Sequence, residues 1–254
     1  MGKIIAIAAP KGKVGKSTTA INLSAAFALS GKKTLLIDLD PAGACASGLG
    51  YSKKEVENNI FDNMKFNISL RPYVLNTRIK NLRFLRIRRL PYLNEQKLEE
   101  ITTNEQILKN VLSPEAPSYD YIIMDCPPHH KGTINAALIT ADTVLIPIIL
   151  ANYSNAVVIR MIEQLINVRE KFNSELNIAG ILLTMFDFNN STNLEIRKEL
   201  FKSYPLYILD TYIPKSTAVS KAFNSKEPLV IYNPDDIAAK AYFKLAEELS
   251  KGLY

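Results

Sequence analysis

Short apolar runs alternate with amphipathic segments along most of the chain. Runs rich in Ile, Leu and Val, which favour buried strands, cover 3–9, 34–37, 82–87, 121–124, 143–149, 178–183 and 206–209. Segments with helical spacing or composition lie between and after them, at 17–29, 103–112, 153–172, 193–201 and 234–249. This alternation is typical of a parallel sheet whose crossover helices cover both faces. We therefore predict an α/β fold with a twisted, mainly parallel sheet.

Composition sets the size of the fold and the class of protein. The chain has 254 residues, of which 47% are hydrophobic, and no long linker or internal repeat divides it, so one domain is expected. It has no run of about 18 apolar residues, and Pro10 and Lys11 interrupt the apolar start. These features predict a soluble, cytoplasmic protein. The net charge of +6 is compatible with a polyanionic partner but does not require one.

The two cysteines and two histidines of the sequence do not indicate a dedicated metal centre. Cys45 and Cys126 lie far apart and lack a C-x-x-C partner, so we interpret them as small buried thiols. His129 and His130 are adjacent, which makes their side chains point apart, and no third ligand is evident nearby. We therefore expect no disulfide framework and no zinc site.

A candidate phosphate-binding loop, APKGKVGKSTT at 9–19, joins the first predicted strand to the first predicted helix. Gly15, Lys16 and Ser17 match the end of the P-loop pattern. Pro10 stands where that pattern has its first glycine, and Lys11 lies just inside the loop. The motif therefore combines the right position in the fold with an unusual second lysine.

The chemistry of such a loop follows from its backbone and its last residues. Glycines at 12 and 15 allow backbone amides to turn toward a polyphosphate, and the helix amino terminus adds its dipole and free N–H groups. Lys16 would reach the β- and γ-phosphates, and the Ser17 hydroxyl would bind Mg2+. The alternative is a simple Gly/Lys turn between strand and helix.

Acidic residues end two of the predicted buried strands. Asp38 and Asp40 follow one strand, and Asp125 ends another. Because ligands bind at the carboxyl ends of parallel strands, these acids should converge on the P-loop. A lone acid at such a position is usually a helix cap or turn residue. Three of them beside a P-loop candidate predict a site for Mg2+ and water.

With these motifs in order, the sequence resembles the ParA/MinD family of P-loop ATPases with a deviant Walker A motif, and most closely its ParA/Soj partition branch. The resemblance covers nearly the whole chain and implies one ATPase domain over 1–254. The segments that carry it are KGKVGKSTT at 11–19, DLDP at 38–41, SGLG at 47–50, YDYIIMDCPP at 119–128, GILLTMFD at 180–187, TNL at 192–194, IPK at 213–215 and EPL at 227–229.

The resemblance assigns roles to individual residues. Lys11 would be the family's signature lysine, which crosses the interface of an ATP-bound homodimer to reach phosphates held by the other subunit. Asp40 would position the attacking water, while Asp38 and Asp125 would support Ser17 and the magnesium ion. The catalytic set is therefore Lys11, Lys16 and Asp40, and the metal set is Ser17, Asp38 and Asp125. The nucleotide set is Lys11, Gly12, Lys13, Val14, Gly15, Lys16, Ser17, Thr18 and Pro214.

Several positions depart from the family pattern. Lys13 replaces the family's second glycine, which is costly if that position requires a positive φ. DPAGA at 40–44 resembles part of the family's switch segment, but Ala42 and Ala44 replace two of its polar side chains. Residues 149–151 lack the family's Gln-x-Glu element. We expect nucleotide binding to be kept, with turnover that is weaker or more dependent on a partner.

The resemblance also implies a DNA-binding partition protein at the nucleoid. Its ATP-bound dimer would bind double-stranded DNA without sequence preference, and a centromere-binding ParB/Spo0J-like partner would stimulate hydrolysis. Candidate DNA contacts are Arg197, Lys198, Lys215 and Lys221. The basic run at 78–89 fits either a nucleic-acid surface or a strand with a solvated basic edge. Ala218 stands where relatives often carry an arginine used for DNA.

Two other functions stay open at this point. The MinD branch of the family uses a basic amphipathic tail as a membrane anchor. Here the last predicted helix has apolar residues at core-helix spacing and the chain ends at Tyr254, so membrane association is not expected. A scaffold that binds nucleotide with negligible turnover is the remaining alternative, because of the altered loop and switch segment.

Overall fold

The structure is a computed structural model that describes residues 2–52, 69–86, 106–128, 131–151 and 154–252. Within these ranges seven strands form one sheet in the order β3-β4-β2-β5-β1-β6-β7. The strands are β1 Lys3–Ile7, β2 Thr34–Asp38, β3 Leu75–Asn76, β4 Leu82–Arg86, β5 Tyr121–Asp125, β6 Thr143–Ile149 and β7 Asn177–Thr184. Short β3 pairs antiparallel with β4, whereas the other neighbours are parallel, which confirms the predicted fold class.

Helices cover both faces of the sheet. The described helices are α1 Lys16–Leu29, α2 Ala44–Gly48, α3 Ile107–Leu112, α4 Lys131–Thr140, α5 Ser154–Lys171, α6 Ser191–Ser203, α7 Ala218–Asn224, α8 Leu229–Tyr232 and α9 Ile237–Gly252. Helices α3 to α6 contribute to the apolar core on one face, and α1, α2 and α7 to α9 contribute to the core on the other. Alternation along β1 feeds both cores, because Ile4 and Ala6 face one side and Ile5 and Ile7 the other.

One predicted strand, at 206–209, is wrong. Only Ile208 in that segment pairs with the sheet, through a single bridge to Ile181 of β7. The backbone contact is limited to two hydrogen bonds on either side of Ile208, from Ile181 N–H to the Tyr207 carbonyl and from Leu209 N–H to the Ile181 carbonyl, and Leu206 is 91% exposed. The segment therefore touches the sheet edge at one point without continuing it. Of the other predictions, positions 87, 103–105 and 153 of the predicted elements lie outside the described residues, as do His129, His130 and positions 88 and 89 of the basic run.

The carboxyl ends of the central strands lie at one level of the sheet. Ile7 of β1 and Asp38 of β2 both align with Asp125 of β5, which lies between them in the sheet. The chain leaves β1 into the loop that precedes α1, so this loop lies beside both acids. The topology therefore brings together the motifs that the sequence analysis singled out.

Candidate nucleotide site

The loop between β1 and α1 ends in a backbone conformation that favours glycine. Gly15 has φ 83° and ψ 17°, in the left-handed region, and it starts α1 by accepting a hydrogen bond from Thr19 N–H at 2.8 Å. Gly15 has no side chain to cap α1, and no acidic residue lies in the first turn. The amino terminus of α1 is therefore positive and uncapped, as an anion site requires.

The Lys16 side chain is buried against this loop. Its side chain is only 6% exposed, and its ammonium group donates a hydrogen bond to the Lys11 carbonyl at 2.9 Å. Burial lowers the pKa of Lys16, and the nearby carboxylates of Asp125 and Asp40 act in the opposite direction. The arrangement places a partly desolvated cation between the loop and the acids.

The other two lysines of the loop have different environments. Lys13 is exposed and has φ 62°, so the position does require a positive φ and the lysine carries a backbone cost. Lys11 is half-buried and lines a cavity of about 240 Å³ with Arg160 of α5. The loop thus presents one cation inward, at Lys16, and two nearer the surface.

Asp38 is fully buried at the end of β2. Its Oδ1 accepts a hydrogen bond from Asp40 N–H at 3.1 Å, and its Oδ2 accepts one from Cys45 N–H at 3.2 Å. Burial raises the pKa of Asp38 well above its ordinary value, with a further increase from Asp125 and an opposing effect from Arg86. Asp38 therefore ties the start of the switch segment to the sheet.

Asp125 is equally buried but less completely bonded. Its Oδ2 accepts a hydrogen bond from the Cys45 thiol at 3.3 Å, while Oδ1 has no hydrogen-bond partner of ordinary geometry among the described residues. Burial raises the pKa of Asp125 to about 6, and the nearby Ser17 hydroxyl limits the increase. A buried carboxylate oxygen with a spare acceptor position suits a cation or a bound water.

These buried groups form a compact set of potential ligands. One side-chain ligand atom each from Asp38, Cys45 and Asp125 lies within 4.8 Å of the others. Ser17, the first-turn residue expected to bind Mg2+, is close enough to Asp125 to affect its pKa. The predicted metal residues thus meet at one place, joined by a thiol that the sequence analysis had interpreted only as a buried residue.

The switch segment folds back over this acid set. The Asp40 carboxylate accepts a hydrogen bond from Ala42 N–H at 2.9 Å, and its carbonyl accepts one from Gly43 N–H at 2.9 Å. Gly43 has φ 68° and precedes α2. The segment is therefore a tight turn that fixes the half-buried Asp40 next to the loop.

A second pocket, of about 270 Å³, opens on the other side of the loop. It is lined by Gly15, Thr18, Thr184, Met185, Ile213, Pro214, Lys215, Ser216, Thr217, Val219, Ser220 and Tyr242. The Thr184 hydroxyl lies 2.9 Å from the Val14 carbonyl and 3.0 Å from the Ile148 carbonyl, which ties the loop to β6 and β7. The pocket adjoins the start of α1 and has the size and mixed lining of a small-molecule site.

Comparison with known proteins agrees with this geometry. A family model described as an AAA domain matches residues 2–178. The sporulation initiation inhibitor protein Soj of Bacillus subtilis is 34% identical over 250 residues, covering 98% of this chain and 99% of Soj. The chain belongs to the ParA/Soj branch of the ParA/MinD family of P-loop ATPases. The chromosome partitioning protein ParA of Myxococcus xanthus is 32% identical over 254 residues, covering 99% of this chain and 89% of that protein.

The ParA/MinD fold is also found among solved structures. The septum site-determining protein MinD of Pyrococcus horikoshii, complexed with Mg-ADP, superposes with a TM-score of 0.80 at 22% sequence identity. The match covers 99% of this chain and 97% of MinD. The neighbour shares the sheet and helix arrangement described above. In this ParA/Soj-type chain, no helix within the described ranges has both the length and the apolar character needed to span a membrane.

The basic residues predicted to contact DNA are scattered over this ParA-type fold. Lys198 on α6 is exposed, whereas the neighbouring Arg197 is half-buried and lies over the Phe201 ring, 4.9 Å from its centroid. Lys215, at the rim of the 270 Å³ pocket, and Lys221 on α7 are both exposed. Lys198, Lys215 and Lys221 therefore present free surface to a polyanion, and Arg197 is already engaged with an aromatic ring.

Three parts of the ParA-type site were not found by sequence reasoning. Cys45 joins Asp38 to Asp125, Thr184 anchors the loop, and buried Tyr242 lines the second pocket. A signal existed for Thr184, which ends the predicted strand at 178–183 just as the acids end theirs. Cys45 and Tyr242 carried no such signal, because each is an ordinary residue of an amphipathic or apolar segment.

Proposed function

We propose that this ParA/Soj-type ATPase is a DNA partition protein whose ATP-bound dimer binds DNA and hydrolyses ATP on stimulation by a ParB-like centromere-binding partner. The observation that carries the proposal is the meeting of Lys16, Asp38 and Asp125 at the start of α1, where one buried Asp125 oxygen has no hydrogen-bond partner of ordinary geometry among the described residues. The whole chain, 1–254, acts as one ATPase domain, as its full-length similarity to Soj and ParA supports.

The described residues fit ATP and Mg2+. The uncapped amino terminus of α1 suits phosphates, and the pocket that includes Pro214 suits a base. Ser17, Asp38 and Asp125 would hold the magnesium ion, directly or through water. Bound Mg2+ supplies charge neutralisation on the phosphate oxygens during phosphoryl transfer.

The chain's own groups divide the work of hydrolysis. Lys16 would exchange its hydrogen bond to the Lys11 carbonyl for one to a phosphate oxygen, because the ammonium group already faces the loop interior. Asp40, fixed by the turn at Ala42 and Gly43, would orient the attacking water. Lys11 of each subunit would reach the other subunit's nucleotide and stabilise charge that develops as the γ-phosphate leaves, as an arginine finger does.

A dimer held together by ATP would switch DNA binding on and off. Lys198, Lys215 and Lys221 are exposed cations. Dimerisation would double the number of these cations in one particle, and such cations favour contact with DNA phosphates without sequence preference. The protein would therefore bind to the nucleoid in the cytoplasm while ATP is bound. A partner that stimulates hydrolysis would release it.

The experiment compares the wild-type protein with Lys16→Ala, using light scattering for mass and fluorescence anisotropy for DNA binding. We expect ATP to double the mass of the wild type and to confer a DNA affinity that falls steeply with salt, and Lys16→Ala to lose both. Lys32→Ala, which removes an exposed lysine beyond the end of α1, is the matched control. A wild-type protein that stays monomeric with ATP and Mg2+ would contradict the proposal.

Two further readouts separate the alternatives. ATP-dependent binding to anionic vesicles, with little binding to DNA, would instead support a MinD-like positioning ATPase. Absence of single-turnover hydrolysis with DNA and partner present would support a nucleotide-binding scaffold.

A further inference from the structure

Arg86 stands in a row of charged residues at the carboxyl edge of the sheet. It is the last residue of β4 and aligns with Asp38 of β2, which in turn aligns with Asp125 of β5. Aligned residues on adjacent parallel strands point to the same face of a sheet. The row therefore places one permanent cation beside the two buried acids of the nucleotide site.

The Arg86 guanidinium group packs directly against the switch segment. A methyl group built on Gly43 would overlap Nη2, Cζ and Nε of Arg86, so the arginine fills the space that any side chain at position 43 would need. Arg86 Nε is buried and has no hydrogen-bond partner among the described residues. The positive charge of Arg86 also acts on Asp38, where it lowers the carboxyl pKa against the larger effect of burial.

Arg86 packs against the Gly43 backbone and acts on the Asp38 carboxyl through its charge, and both of these groups are hydrogen-bonded to Asp40. Gly43 N–H donates to the Asp40 carbonyl at 2.9 Å, and Asp38 Oδ1 accepts from Asp40 N–H at 3.1 Å. The guanidinium group thus packs against the turn at Gly43 and lies near Asp38, whose carboxylate accepts the hydrogen bond from Asp40 N–H. A displacement of Arg86 would loosen the turn from both sides.

We propose that Arg86 is a positioning residue for hydrolysis, which braces the switch segment 40–44 so that Asp40 stays aimed at the nucleotide. The proposal rests on the role of Asp40 given above. It also changes the interpretation of the basic run at 78–89, because the guanidinium group of Arg86 is committed to the interior of the site rather than to a nucleic-acid surface.

The chemistry favours arginine over lysine at this position. A guanidinium group is planar and permanently charged, so it can lie flat against the Gly43 backbone while staying near Asp38. A lysine ammonium group keeps the charge but is compact and strongly hydrated, and it cannot cover the same surface. Lysine should therefore restore only part of the effect.

The test measures single-turnover ATP hydrolysis without DNA, together with the affinity for a fluorescent ATP analogue, in Arg86→Ala and Arg86→Lys. A displacement of about 1 Å in a positioning group can lower a rate by on the order of 10². We expect Arg86→Ala to lower the rate at least about tenfold with affinity changed less than about threefold. Arg86→Lys should recover part of the rate, and Arg83→Ala, which removes a half-buried arginine from the same strand, should match the wild type. An unchanged rate in Arg86→Ala, or equal losses of rate and affinity, would overturn the proposal.

A second set of variants tests the contact itself. Gly43→Ala should slow hydrolysis, because the new methyl group meets Arg86 and because φ 68° disfavours alanine. Arg86→Ala removes the group that the new methyl would meet. Gly43→Ala should therefore lower the rate by a smaller factor in the Arg86→Ala background than in the wild type. Additive effects would overturn the contact.

Asp40→Ala serves as the reference: a wild-type rate there would refute the role of Asp40, whereas a slow Asp40→Ala beside a normal Arg86→Ala would refute only the role of Arg86.

Discussion

The end of the site proposed to hold the phosphates, the phosphate end, is built from charged groups on neighbouring strand ends. The end proposed to hold the base, the base end, is a mainly apolar pocket assembled from segments far apart in the sequence. At the phosphate end, Asp38 and Asp125 are fully buried side by side, and Lys16 is almost fully buried near them. At the base end, residues near 15, 184, 213 and 242 meet around 270 Å³. The two ends share the loop that carries Val14 and Gly15.

The difference shows where the fold gives up stability for function. Buried acids at the phosphate end have raised pKa values, which means that their charged forms destabilise the folded protein. The base end has no comparable electrostatic cost, since its lining is mostly apolar and backbone. Substitutions at the phosphate end should therefore change activity and stability in opposite directions, whereas those at the base end should mainly change affinity.

The largest effect is expected for Asp125→Asn. Loss of the carboxylate should lower hydrolysis by about 100-fold or more, because a transition-state interaction at the proposed metal site is lost. Folded Asp125 has a pKa of about 6 against an ordinary value of 3.8, so wild-type stability falls as the pH rises through this window. The variant should be more stable at pH 8 without metal, by on the order of 2–3 kcal/mol.

Urea denaturation in EDTA at pH 8 and pH 5 measures this gain for Asp125→Asn. It should shrink at pH 5, where wild-type Asp125 is mostly protonated. Asp235→Asn, at an exposed carboxylate, is the control. Equal urea midpoints for Asp125→Asn and wild type at pH 8 would show that Asp125 carries no buried charge.

At the base end, Thr184→Val should give a smaller effect. The change keeps the side-chain shape but removes the hydroxyl that holds the Val14 carbonyl, so the loop and the pocket lose their shared anchor. We expect nucleotide affinity to fall about tenfold, which corresponds to about 1.4 kcal/mol, with the rate of bound ATP little changed. Equilibrium binding of a fluorescent nucleotide measures it, with Thr211→Val as control. If Thr184→Val loses more rate than affinity, Thr184 acts on the phosphate end of the site and not on the base end.

Lys215 tests whether the pocket at the base end adjoins the proposed DNA surface. If it binds DNA, the double variant Lys215→Ala, Lys221→Ala should lower the slope of log affinity against log salt by about 2, since each phosphate contact contributes about 0.9. Nucleotide affinity should stay unchanged, although Lys215 lies at the pocket rim. The matched control is the double variant Lys32→Ala, Lys171→Ala, whose exposed lysines precede β2 and end α5. An unchanged salt slope would remove both lysines from the DNA surface.

The smallest effect concerns the backbone of the loop at Lys13. Glycine adopts φ 62° without the cost that a side chain adds, but it also makes the unfolded chain more flexible, so the net gain from Lys13→Gly should be about 0.5 kcal/mol. Lys13→Ala should show no gain, because alanine keeps the backbone cost. If alanine stabilises as much as glycine in urea denaturation, the charge of Lys13 and not its φ is responsible.

The sequence predicted the phosphate end better than the base end for a physical reason. Loop and acids occupy strand ends, and the parallel sheet brings strand ends together regardless of what lies between them. The base end depends on how the chain after β7 returns to the sheet, and that segment, at 206–209, is where a strand was wrongly predicted. Arg86 was placed in a basic surface run, because no sequence pattern shows that an arginine packs against a glycine 43 positions earlier.

The central claim is that two copies of the protein share their catalytic groups across an ATP-bound interface. Lys11→Ala and Asp40→Ala should each hydrolyse ATP slowly when alone, since one lacks the lysine given to its neighbour and the other lacks the carboxylate that orients water. Mixed in equal amounts, they should regain hydrolysis, because ATP on the Lys11→Ala subunit receives both its own Asp40 and Lys11 from the other subunit. A mixture no faster than its two components, or a Lys11→Ala protein as fast as the wild type, would contradict the account.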